Sequence, residues 1–236
     1  MNGIDLDFHT RIDPHKRSSQ LADVILGGQD GVVNVLGVIL GVAAATEATR
    51  VVLAGGLAAA IAESLSMAAV AYTSRRAEQA LYESEVARER RHIERVPELE
   101  ADEIRAIYRD KGFDGPLLDQ IVATITANKE VWLNVMLAEE LRLQPVDTRQ
   151  ALRAALVVGS ASLVGSLLPL LPFFFLAVTP AAWIAVAVAA VTLFGVGAYK
   201  SITTVGHWLW AGIEMAAIGL TAAAAGWIVG LLFRAR

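Results

Sequence analysis

Five stretches of this chain are long and apolar enough to cross a bilayer as helices, and no other feature restricts its fold as strongly. Residues 21–46 carry only Asp23 and Asp30, and residues 51–74 only Glu63. Residues 154–179 and 181–199 carry no charge, and residues 201–233 carry only Glu214. A spanning helix needs about 20 mostly apolar residues at a rise of about 1.5 Å each. The rival is a large soluble helical core, which needs a shell of polar helices. With 55% apolar and 19% charged residues the chain cannot supply one, since a soluble domain runs at about 45–50% and about 25%. The fold class that follows is an all-α membrane protein of five transmembrane helices.

The charges are partitioned. Residues 75–149 hold 16 of the 24 acids and 12 of the 20 bases, leaving 8 and 8 for the other 161 residues. This is the pattern of spans interrupted by one soluble insert, between the second span and the third. The domains read as an arm at 1–20, two spans at 21–74, an insert at 75–148 and three spans at 149–236. Five spans place the arm, the insert and Lys200 on one side, which collects 17 of the 20 basic residues. Arg11, Lys16, Arg17, Arg75 and Arg76 lie close to span ends and agree, so the positive-inside rule makes that side cytoplasmic. The arm mixes Asp5, Asp7 and His9 with Arg11 and has no apolar run beside it. It reads as a cytoplasmic arm and not a cleaved signal peptide.

The insert reads as a small helical bundle. No Gly or Pro interrupts Ala58 to Arg95, so one helix of more than 40 residues is expected to leave the membrane and stop before Pro97. Pro97 opens a second helix that Gly112 ends, and Gly115-Pro116 opens a third. Asn128 separates a fourth, Glu130 to about Leu143, which Pro145 stops. No alternation typical of strands appears.

Chemistry is offered in two places. On the long helix, Glu78, Glu85, Glu89 and His92 are spaced by 7, 4 and 3 residues and share one face. Glu100 and Glu103 share a face of the second helix, and Met136 and Glu140 a face of the fourth. Carboxylates and an imidazole converging from three helices suit Fe²⁺, Mn²⁺ or Zn²⁺. The same spacing also fits the solvated faces of charged helices. With no cysteine in the chain, thiolate ligands and disulfides are excluded. Within the spans stand Asp30, Glu63 and Glu214. A carboxylate at mid-membrane costs about 2.5–3.5 kcal/mol on insertion scales and marks an ion or proton path. Met67 lies one turn beyond Glu63 and adds a thioether. Pro169 and Pro172 kink or end the third span. His207, Trp208 and Trp210 read as an interfacial belt.

Other functions are set aside. There is no Walker lysine or glycine-rich nucleotide loop, no Ser-His-Asp or metallohydrolase pattern, and a net charge of −4. No nucleotide, nucleic acid or prosthetic group is expected, and the chain does not read as an enzyme.

Taken in order, several short motifs resemble the vacuolar iron transporter family, in a bacterial form. They are Asp30-Gly31, Ser66-Met67 with Tyr72, Glu78 and Tyr82, Trp132-Leu133, Met136, Glu140-Leu141, and Pro169-Leu-Leu-Pro172-Phe173. The resemblance runs from about Leu21 to Gly230. It implies a five-span homodimer in the bacterial inner membrane with a cytoplasmic metal-binding domain. It further implies export of Fe²⁺, and often Mn²⁺, in exchange for protons. The family's membrane aspartate and methionine match Asp30 and Met67, and its cytoplasmic ligands match Glu89, Glu100, Glu103, Met136 and Glu140. Three positions depart: Ala59 replaces a membrane glutamate, with Glu63 one turn further on, His92 replaces a cytoplasmic glutamate, and Leu137 a methionine. An imidazole and fewer acids either tilt the cytoplasmic site toward Zn²⁺ or simply weaken it. Glu85 joins that site on helical spacing, and Glu214 joins the membrane path as a proton-relay candidate. Two rivals stay open: a membrane-anchored metal sensor or storage-associated protein that does not transport, and a proton-coupled carrier of another solute.

Overall fold

The computed structural model describes residues 19–145, 148–203 and 206–233. Residues 1–18 of the expected arm, with Arg11, Lys16 and Arg17, lie outside the described residues, as do Arg234 and Arg236. The described residues form helices and connecting turns, with no strand among them. In chain order the α-helices are α1 (Ser19–Ala45), α2 (Thr49–Arg95), α3 (Pro97–Asp110), α4 (Gly115–Thr126), α5 (Lys129–Val135), α6 (Thr148–Leu170), α7 (Val178–Thr203) and α8 (Trp208–Leu232). Five of them, α1, α2, α6, α7 and α8, contain a segment long and apolar enough to cross a membrane.

The chain divides into two compact units, residues 1–72 with 153–236, and residues 73–152. In the first, α1 supplies Val32, Val35, Leu36, Ile39 and Leu40 to a core that also takes Leu170, Phe173 and Leu193. Small residues allow this packing. Ala181, Ala185 and Ala189 form a fully buried stripe along α7. Along α1, a methyl group on Gly31 would collide with the Ser162 carbonyl oxygen of α6. On α8, a methyl group on Gly226 or Gly230 would strike the backbone of Gly37 or Gly41. Close backbone approach is how helices associate where lipid removes the hydrophobic driving force.

The second unit closes over Ile93, Ile104, Leu118, Val122, Trp132, Leu133, Met136 and Leu137. Its helix ends follow local chemistry. Pro97 occupies the first turn of α3, where a missing N–H costs nothing. Gly112 takes φ +95° just past the end of α3, a conformation that penalises a side chain. The Asn128 side chain accepts hydrogen bonds from the Glu130 and Val131 amides at 2.9 and 3.3 Å and so starts α5.

Three boundaries differ from the sequence reading. The last span begins at Trp208 and not Ser201; Ser201 and Lys200 belong to the end of α7. The chain breaks there because Gly206 adopts φ +156° and His207 is extended. The third span ends at Leu170, and Leu171–Phe174 forms a 3₁₀ turn. Prolines 169 and 172 have no amide hydrogens to continue the ladder. The fourth helix of the insert stops being α-helical at Val135 and widens into a π turn at Met136–Glu140.

Candidate metal centre

The residue-73–152 unit gathers an acidic cluster around one imidazole. Glu89 comes from α2 and Glu100 from α3, and both are buried, with 5% and 2% of their surface exposed. His92 lies one turn beyond Glu89 on an open face. Its Nδ1 is 3.3 Å from Glu100 Oε1 and 3.9 Å from Glu89 Oε1. Ligand atoms of Glu89, His92 and Glu100 all lie within 4.8 Å of one another. The second carboxylate oxygens of Glu89 and Glu100 are buried with no hydrogen-bond partner. An unsatisfied buried polar group costs about 1–3 kcal/mol, and more when charged. A cation shared by the two carboxylates would remove that penalty.

Electrostatics binds two further acids to the group. The Glu100 carboxyl is pushed up to about 7, first by burial and then by the charges of Glu103, Glu89 and Glu140. Glu140, exposed as a residue, is also raised, by loss of solvent around the carboxyl and by Glu103 and Glu89, with His92 opposing. A divalent ion held by these oxygens would compete with protons for them near neutral pH.

Not every expected ligand belongs to this cluster in the same way. Glu85 pairs with Arg88 at 2.9 Å. Glu78, on the same face, pairs with Arg75 at 3.0 Å. Met136 is fully buried among apolar residues of the unit's core.

In the residue-1–72 and 153–236 unit, carboxyls from two spans meet. The Glu63 side chain of α2 lies near enough to Asp30 and Asn34, both on α1, for each to act on its carboxyl. Met67 is half-buried one turn beyond Glu63. Nearby, Ser64 is turned back on its own helix, donating to the Ala60 carbonyl at 2.6 Å. Glu214 is exposed on α8. Asn34 was not among the expected residues. Its signal is the four-residue spacing from Asp30, which puts both on one face of α1.

The comparisons with known proteins agree on one family. The VIT family profile matches residues 21–231. The vacuolar iron transporter 1 of Tulipa gesneriana is 32% identical over 204 residues, covering 86% of this chain and 83% of that protein. The vacuolar iron transporter 1 of Arabidopsis thaliana is 31% identical over 222 residues, covering 93% and 88%. The protein CCC1 of Saccharomyces cerevisiae is 26% identical over 233 residues, covering 94% and 70%. A profile match over nearly the whole described chain, five apolar helices and a carboxylate pair shared by two of them lead to one conclusion: this chain belongs to the VIT family of multi-pass membrane transporters and is not an enzyme.

Proposed function

We propose that the protein exports Fe²⁺, and Mn²⁺ as a second substrate, from the cytoplasm in exchange for protons. The observation that carries this reading is the meeting of Asp30 and Glu63 across two spans. Two neighbouring carboxyls can take up either one proton or one divalent cation. That is the exchange an antiporter needs. The names of the relatives, iron transporters from plants, support iron as the substrate.

In this reading the 73–152 unit is cytoplasmic and collects metal through Glu89, His92, Glu100, Glu103 and Glu140, with Glu85 and Met136 as outlying members. The ion then passes Asp30, Glu63 and Met67, and Glu214 serves as a second proton relay. Hard oxygen ligands with one imidazole and one thioether suit Fe²⁺ and Mn²⁺, and the imidazole lets the cytoplasmic centre bind Zn²⁺ as well. The functional unit is a homodimer in the bacterial inner membrane, with the arm and the 73–152 unit facing the cytoplasm.

The test is Fe²⁺ uptake into proteoliposomes under an imposed pH gradient. Wild type should accumulate Fe²⁺ and dissipate the gradient, and Asp30→Ala should do neither. If Asp30→Ala transports like wild type, the reading fails. A sensor that only binds metal gives a different result: no uptake by wild type, with Mn²⁺ binding intact.

A further inference from the structure

Glu140 is carried on a π turn, Met136–Glu140. Trp132, Leu133, Met136 and Leu137 are all buried and form the core-facing stripe of this segment. In α-geometry each residue advances about 100° around the axis, so residues four apart stack on one face. Glu140 is four residues beyond Met136, which is fully buried. Glu140, the last residue of the π turn, is exposed, and its charge acts on the buried Glu100 carboxyl.

The turn is held from two sides. Within the chain, the Leu141 amide donates to the Met136 carbonyl at 3.2 Å and the Leu143 amide to the Leu137 carbonyl at 2.8 Å. Arg142 closes it at φ +52°, a strained left-handed conformation for a residue with a side chain. From outside, Lys111 at the end of α3 pairs with Glu139, the neighbour of Glu140. The same ammonium lies over the Tyr108 ring, 4.9 Å from its centre, which fixes its position.

We infer that Lys111, through Glu139, clamps the π turn so that Glu140 faces the Glu89–Glu100–Glu103 cluster, which makes Lys111 a positioning residue of the metal centre. This rests on the metal-binding reading of that cluster. It has a property that simple electrostatics lacks. A lysine near a cation site repels the cation, so its removal should tighten binding by Coulomb's law. A clamp predicts the opposite sign.

The experiment is titration of the full-length protein in detergent with Mn²⁺ alone, following free Mn²⁺ by electron paramagnetic resonance. Lys111→Met should weaken Mn²⁺ binding about tenfold, the scale of a lost outer-shell partner. Lys111→Arg should restore it. Glu139→Gln, which opens the clamp from the other side, should weaken it to a similar extent. The double variant Lys111→Met/Glu139→Gln should be no weaker than either single one, because both break one contact. Binding by Lys111→Met as tight as wild type, or tighter, overturns the inference. If Lys111→Met does not fold, full Mn²⁺ affinity in Glu139→Gln overturns it equally. Absence of Mn²⁺ binding by wild type defeats the underlying reading instead, and is seen before any variant is compared.

Discussion

His92 Nδ1 lies 3.3 Å from Glu100 Oε1, although the two residues sit on different helices on either side of the Val96–Pro97 break. The imidazole therefore faces the acidic cluster, although it stays exposed on α2. Replacing it with the carboxylate of the family pattern, His92→Glu, should shift preference from Zn²⁺ toward Mn²⁺. We expect the Zn²⁺ to Mn²⁺ affinity ratio to fall about tenfold, equivalent to about 1.4 kcal/mol. Competition titration of the full-length protein measures it, and an unchanged ratio would remove His92 from the centre.

The raised carboxyls set a pH dependence. Glu100 titrates at about 7 when folded, above its ordinary value of 4.5. The folded form then binds more protons than the unfolded form between those two values. The contribution of Glu100 to the stability of the metal-free protein should be largest below about 4.5 and should fall as pH rises toward about 7. Metal affinity should move the other way, rising through pH 7 as the protons leave. Melting curves at pH 5 and 8 with and without Mn²⁺ test both signs. Glu100→Gln should flatten the metal-free dependence, and failure to do so would assign it elsewhere.

Glu63 offers a direct exchange experiment. Glu63→Ala should abolish Fe²⁺ transport in proteoliposomes. Adding Ala59→Glu in that background places a carboxylate one turn earlier on nearly the same helix face and should recover a measurable part of the rate. No recovery would mean that the position, and not just the carboxylate, is required.

Backbone contact between α1 and α6 should be intolerant of a single methyl group. Gly31→Ala would drive a Cβ into the Ser162 carbonyl and against the Ser166 hydroxyl. Overpacking of this kind costs about 1–3 kcal/mol. Gly195 on α7 has open space around it, so Gly195→Ala should be neutral or gain up to about 1 kcal/mol from helix propensity. Thermal unfolding in detergent compares the pair.

Arg142 stores strain at φ +52°. Arg142→Gly should relieve part of the roughly 1–2 kcal/mol carried by a left-handed residue, offset by the larger entropy of glycine in the unfolded chain. A small rise in melting temperature is expected, and a large fall would assign the arginine side chain a role of its own.

Helix positions were largely legible because their causes are local. The long charge-free runs, Pro97, Gly112, Asn128 and the Pro169–Pro172 pair all act through nearby backbone. The π turn was not legible, because Met136 to Glu140 reads as ordinary α-helix. The candidate ligands could be named from spacing and resemblance, but spacing reports only which residues share a helix face. It did not separate Glu89 from Glu85, whose charge is taken by Arg88. Nor did it single out Asn34, a neutral residue with no charge pattern to mark it.

The sequence by itself determined the number of apolar helices, the acidic segment between them and the kinds of ligand available, since these follow from hydropathy, propensity and composition along one dimension. Only the tertiary structure decided which acids meet: Asp30 with Glu63, and Glu89 with Glu100 and His92. Those meetings depend on how separate helices rotate and approach, which is set by packing of small residues and buried apolar faces far apart in the chain.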